Sequence, residues 1–207
     1  MLMSQTDCME SFAEYHFIKG KVIFCGCNMD IPASRFGKKT FSRGDRFLFI
    51  PYNCLIKRLF KLHYMGVLCE ITSEKNSEDK VIYEVKGLHK VIIKNYKKDS
   101  AYFEEIFPAK NGKTENVAGS LRKKAQEFVF LINTEESEKL IYLMNFSSDF
   151  SEFSDFVTNY FILNYKDRIR IFSERDLYKK YLMLHAMLDK LIIKTQKRIL
   201  REKKSIG

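Results

Sequence analysis

The sequence predicts an α+β fold, in which a β-rich part is followed by an α-helical part ending in a long helix. Three observations predict it. Short runs rich in Val, Ile, Phe and Tyr recur from Val22 to Phe107, a polar stretch from Ala109 to Asn116 interrupts them, and beyond it apolar residues recur every three or four positions. The expected organisation is a β-rich domain over residues 1–108 and a helical subdomain over residues 117–207.

In the first part the expected strands are Val22–Cys25, Phe47–Ile50, Tyr64–Ile71, Val81–Lys86, Lys90–Tyr96 and Tyr102–Phe107. In Tyr64–Ile71, Met65, Val67, Cys69 and Ile71 share one face by the two-residue period of a strand. The polar run Ser73–Asp79 reads as the turn of a hairpin. Gly87 stands between two runs that otherwise join, as a glycine at a bend or bulge does. Short strands with few helical intervals point to a small closed or half-open β-barrel.

In the second part Leu121, Ala125, Phe128 and Ile132 keep helical spacing, as do Leu140 and Met144. Thr134 is placed to cap the helix that follows it. Ser151 and Ser154 stand near the start of an aromatic helix holding Phe156, Tyr160 and Leu163. Ser173-Glu174-Arg175-Asp176 reads as a cap with an acidic first turn. Leu177, Tyr181, Leu184, Leu188, Leu191, Thr195 and Ile199 then continue at spacings of four and three. The expectation is that Leu177–Leu188 packs on the other helices, while Leu191–Ile199 projects and pairs with a partner.

Of the 207 residues, 45% are hydrophobic and 30% charged, the composition of a globular protein rather than a disordered one. No apolar run reaches the roughly 18 residues a transmembrane helix needs. Met1–Glu14 carries Asp7, Glu10 and Glu14 and lacks the plan of a secretory signal, so the expected location is the cytoplasm. The net charge of +10 is uneven: residues 166–207 hold 13 basic and 5 acidic groups, whereas residues 117–165 are net acidic. A basic terminal helix suits an anionic partner, nucleic acid included, and also suits an exposed helix face.

Chemistry-bearing motifs are sparse. Gly112-Lys113-Thr114 lacks the glycine a phosphate loop needs five positions before its Gly-Lys pair, where Phe107 stands instead. The chain has no GxSxG stretch, and His16, His63, His89 and His185 are scattered. Cys25 and Cys27 are one residue apart without a second pair downstream, and Cys54 and Cys69 sit in apolar surroundings as buried reduced thiols do. No metal and no cofactor is expected. Lys57-Arg58-Leu59-Phe60-Lys61-Leu62-His63-Tyr64 interleaves basic and aromatic residues, as an RNA contact or as an amphipathic connector.

Met65-Gly66-Val67-Leu68-Cys69-Glu70-Ile71, a polar gap, and then Val81 to Ile93 with Val85-Lys86-Gly87-Leu88 at its centre form a paired signature. It resembles that of the N-terminal domain of the Lon proteases. Phe17 to Phe24 with Ile31-Pro32 is similar to that domain's first strands, and Asp149–Ile169 and Ser173–Arg201 are similar to the helices that follow it. The sequence departs from the family at Cys25-Gly26-Cys27, at the short Lys39–Arg43 segment, and at His89-Lys90 where an arginine is common. The resemblance implies a PUA-like pseudo-β-barrel followed by a helical subdomain. It also implies a non-catalytic module for protein quality control that binds unfolded or degron-bearing protein segments. No ATPase or serine–lysine peptidase module is expected before Gly207. A full-length Lon protease and a second copy, met through the terminal helix, are further partners it suggests. The expected peptide-binding residues are Phe36, Lys38, Lys39 and Phe41, two aromatics and two lysines around the Gly37 turn. The alternative for this loop is that both phenylalanines enter the core. The alternative function is RNA binding through the β-rich domain and the basic terminal helix.

Overall fold

The computed structural model describes residues 11–52, 55–61, 64–77, 80–106, 112–132, 135–146 and 149–206. Cys8, Cys54, His63, Phe107 and Thr134 lie outside them. The fold is α+β, and the chain divides into two compact units, Met1–Phe107 and Pro108–Gly207.

The first unit holds six strands: β1 (Ser11–Lys19), β2 (Asn28–Pro32), β3 (Arg46–Tyr52), β4 (Met65–Ser77), β5 (Lys80–Tyr96) and β6 (Ser100–Glu105). A 3-10 turn, Ala33–Phe36, follows β2, and a short helix, α1 (Leu55–Leu59), follows β3. The sheet order is β2-β5-β4-β3-β1-β6, and β5 also pairs with β6, so five strands close into a ring flanked by β2. Among the described strands the other pairs are antiparallel, while β1 and β3 pair in parallel, with Tyr15 opposite Leu48 and Lys19 opposite Tyr52. Their crossover carries β2 and the 3-10 turn, the longer connection that parallel strands require.

Two expected strands are one. Val81–Lys86 and Lys90–Tyr96 are halves of β5, and the register against β4 slips between Leu68 and Cys69, where Leu68 faces His89 but Cys69 faces Gly87. The extra residue is Leu88, so the glycine marks a bulge inside a continuous strand. Gly87 also meets the Val22–Phe24 segment edge-on: a Cβ there would lie 2.4 Å from the Phe24 carbonyl oxygen and 2.8 Å from Ile23 Cγ2. Val22, Ile23 and Phe24 are buried, yet the expected Val22–Cys25 strand is only a bridge from Cys25 to Gly87. The pairing of β4 with β5 runs on to Ser77 opposite Lys80, so most of the polar run Ser73–Asp79 is strand, not turn. Polar residues suit this part of the ribbon because Glu74, Lys75 and Asn76 are exposed.

β3 is buried on both faces. Leu48 and Ile50 pack with Leu68, Val91, Ile93 and Phe103, while Phe47 joins an aromatic group with Phe36 and Phe41.

The second unit holds α2 (Gly112–Ile132), α3 (Ser137–Phe146), α4 (Phe150–Phe161), α5 (Tyr165–Ser173) and α6 (Leu177–Ile206). Its core runs through Leu121, Ala125, Val129, Met144, Phe153, Val157, Tyr181, Leu184 and Leu188. Gly112-Lys113-Thr114 forms the first turn of α2. Asp149, ahead of Ser151 and Ser154, caps α4 by accepting from the Ser151 and Glu152 amides at 2.7 and 3.2 Å. Asn164 caps α5 in the same way, which splits the aromatic helix after Phe161 and leaves Leu163 in the connection. Asp176, not Ser173, caps α6, accepting from the Tyr178 and Lys179 amides at 2.9 and 3.2 Å. Each cap carboxylate or amide oxygen satisfies amides that the first helical turn leaves without a partner. No helix among the described residues is long and apolar enough to cross a membrane.

Candidate peptide-binding surface

The loop after β2 is built around two inward rings. Phe36 and Phe41 are only 5% and 6% exposed, with centroids 5.0 Å apart, and both meet His16, Phe47 and Tyr83. The Phe41 amide donates to the Tyr83 hydroxyl at 3.1 Å. Gly37 lies between them at φ 73°, a conformation that costs a side-chain-bearing residue energy. Lys38 is exposed. The Lys39 ammonium pairs with the Glu14 carboxylate and lies 5.3 Å from the Phe41 centroid. Of the four expected binding residues, then, the phenylalanines anchor the loop and the lysines face solvent.

Beside this cluster His16 Nε2 lies 3.0 Å from Glu14 Oε1. Burial lowers the imidazole pKa to about 4, so the ring is neutral near pH 7.

A second feature was legible in the sequence only as an amphipathic stretch. Leu55 and Leu59 are four apart on α1 and are 58% and 69% exposed; Phe60 and Tyr64 just beyond are 71% and 59% exposed. Arg58 and Lys61 of the same stretch contact tyrosine rings of the sheet. The Arg58 guanidinium sits 5.2 Å from the Tyr52 ring centroid and donates to the Tyr52 hydroxyl at 3.2 Å. Lys61 takes φ 50°, and its ammonium donates to the Lys97 carbonyl at 3.0 Å, 5.2 and 5.6 Å from the Tyr15 and Tyr96 centroids. Beside these two anchored cations the segment presents an apolar ledge. Single exposed leucines are ordinary, but here four large apolar side chains within ten residues are exposed.

Arg58 also lines a groove of about 520 Å³ floored by Glu14 to Phe17 of β1. Arg35 and Gly37 flank it, as do Lys98 and Asp99. The groove thus joins the expected loop to the foot of the ledge. Its cations can hold backbone carbonyls or carboxylates of an extended segment while the ledge takes apolar side chains.

Solved structures with this fold are known. The N-terminal domain of Mycobacterium avium complex Lon protease is 13% identical, with a TM-score of 0.66, and the match covers 86% of this chain and 98% of that one. The Lon N-terminal domain protein from Xanthomonas campestris is 10% identical, with a TM-score of 0.54 and coverage of 85% and 98%. The fold is that of a Lon N-terminal domain. At these identities the likeness concerns fold and not chemistry. No protein-family model and no curated protein matches the chain by sequence. The signature that carries the resemblance, Met65–Ile71 with Val81–Ile93, lies in the β4–β5 hairpin.

Other reactive side chains are placed as follows. Cys69 is buried, and burial raises its thiol pKa well above the ordinary value; Cys25 and Cys27 are half-buried. Among the described residues no three His, Cys, Asp or Glu side chains group as a metal site would. His89 Nδ1 lies 4.0 Å from Glu105. In the helical unit His185 Nε2 lies 3.3 Å from Ser120 Oγ, and its Nδ1 lies 3.3 Å from Asp189 Oδ2. Asp189, four residues after His185 on α6, was the sequence signal for that pair. The order serine–histidine–aspartate matches a nucleophile and its base, but Ser120 is in mid-helix, where neighbouring amides are committed to the helix rather than free to bind an oxyanion. Asp189 is held by Lys124, and the hydrogen bond from that lysine lowers its pKa.

Proposed function

We propose that this chain is a non-catalytic protein-binding module that captures apolar segments of unfolded or degron-bearing proteins in the cytoplasm. The observation that carries the reading is the ledge of Leu55, Leu59, Phe60 and Tyr64, exposed beside a groove bearing Arg35, Arg58 and Lys98. An unfolded segment offers side chains and backbone edges rather than a preformed shape, and an apolar ledge beside hydrogen-bond donors suits both. Lys38, exposed on the loop that Phe36, Lys39 and Phe41 position, offers a further cation. The Lon-like fold supports a place in protein quality control, with a full-length Lon protease as a further partner. The test is binding of fluorescently labelled casein to the whole chain. Leu59→Asp with Phe60→Asp should weaken it about tenfold or more without unfolding the protein, since both side chains are exposed. Unchanged binding overturns the reading. Neither ATP hydrolysis nor casein cleavage should be detected, and a cleavage activity lost on Ser120→Ala would overturn the non-catalytic assignment.

One observation favours a second reading, RNA binding. Lys190, Lys194, Lys197, Arg198, Arg201, Lys203 and Lys204 of α6 are all exposed. The rings of Tyr15 and Tyr96 are covered by Lys61, which leaves less aromatic face for bases to stack on. Partners recovered from lysate that vanish on nuclease treatment would favour RNA.

A further inference from the structure

The helical unit carries a groove of about 400 Å³ between the α4–α5 connection and α6. Its lining is apolar where Phe161, Ile162, Met187 and Leu191 contribute, and Leu163 stands at its edge 86% exposed. Its charged lining is Arg170, Lys190 and Lys194 against Asp167 alone. Leu191 and Lys194 also line a second hollow along α6, with Lys197, Arg198 and Arg201. The two hollows therefore share a wall and make one track. From Leu191 to Arg201 the track follows about 15 Å of helix, at about 1.5 Å per residue. The single acid on this part of α6, Glu202, lies 3.7 Å from Arg198.

An apolar floor inside a cationic rim selects its occupant by charge. A basic or neutral apolar segment would bury its side chains but set cation against cation at Arg170, Lys190 and Lys194. A segment whose apolar residues are flanked by carboxylates satisfies both parts. We infer that this track is a docking site for an acidic-flanked apolar peptide segment of a partner protein. It is separate from the groove and ledge of the β-rich unit, and it stands or falls independently of the function proposed for them.

The experiment uses the whole chain and two designed, fluorescently labelled peptides of about twelve residues with one shared Leu/Phe core. One is flanked by Glu and Asp, the other by Lys and Arg. The acidic-flanked peptide should bind at least about tenfold more tightly, by anisotropy, and weaken as salt is raised. Lys190→Glu with Lys194→Glu should weaken it about tenfold or more, and so should Leu163→Asp. The comparison is made in the Leu59→Asp, Phe60→Asp background, which removes the apolar ledge of the β-rich unit as a competing site. All these side chains are exposed, so melting curves should match the parent; if the lysine pair proves disruptive, Arg170→Glu replaces it. Equal binding of the two peptides overturns the inference, as does binding that survives Leu163→Asp. A labelled single-stranded RNA of about 20 nucleotides provides the competing result. If it binds through Lys190 and Lys194, ignores Leu163→Asp and the acidic peptide does not bind, the track is an anionic-polymer surface instead.

Discussion

The Lys180 ammonium of α6 and the Asp155 carboxylate of α4 form an ion pair inside the helical unit, with 3% and 5% of their side chains exposed. Removing one partner strands a buried charge. Lys180→Met or Asp155→Leu alone should cost about 3–5 kcal/mol, whereas the two together should lie within about 2 kcal/mol of the parent or be more stable. Urea denaturation of the three variants checks this. A double variant as unstable as either single one would mean that the pair is needed for packing rather than for charge balance.

Gly87→Ala should destabilise the β-rich unit by about 1–3 kcal/mol or more, because the new Cβ meets the Phe24 carbonyl and Ile23 Cγ2. The neighbour is backbone and cannot rotate away. A midpoint of chemical unfolding equal to the parent's would show that the Cys25–Gly87 bridge yields easily.

Stability should fall as pH drops from about 6.5 to about 4. His16 has a pKa of about 4 in the folded chain and an ordinary value near 6.5 when unfolded, so in that window the unfolded state binds more protons. Glu14, which would favour the charged ring, has its other oxygen engaged by Lys39. His16→Gln should flatten this part of the stability–pH curve, measured by denaturation at fixed pH steps. An unchanged slope would assign the loss to other groups.

Leu188→Ala should cost about 2–5 kcal/mol, since Leu188 is fully buried. The projecting part of α6 begins later than its sequence suggests: Leu191 packs on the core and Ile192 is 6% exposed, whereas Ile193 and Leu200 are 52% and 60% exposed. Ile193→Asp should therefore change the melting temperature little. If it lowers association in sedimentation, α6 also serves self-association. Equal destabilisation by both substitutions would place the distal helix in the core.

Limited trypsin digestion should cut first at Lys110, at the join of the two units. Gly112 onward is helical, so Lys113 and Glu115 of the expected polar break belong to α2. First cleavage at Lys80 or Lys86, with Lys110 intact, would contradict two separable units.

The sequence by itself determined the α+β class, the change of period near residue 110, the β4–β5 hairpin and the terminal helix. Each rests on local periodicity, and each is long enough for the pattern to repeat. The caps were less legible, because Asp149 and Asp176 compete with nearby serines for the role, and backbone direction decides which oxygen meets the free amides; Asn164 caps α5 where the apolar spacing reads as one continuous helix. Only the tertiary structure decided that β5 is continuous through Gly87, since a bulge is defined by the facing strand. It alone turned Phe36 and Phe41 inward, because a ring's burial depends on His16, Phe47 and Tyr83 arriving from distant parts of the chain. It alone exposed Leu59 and Phe60, because the rings that hold Arg58 and Lys61 come from β3, β1 and β5. An amphipathic segment specifies two faces, and the neighbours it meets decide which of them is left for a partner.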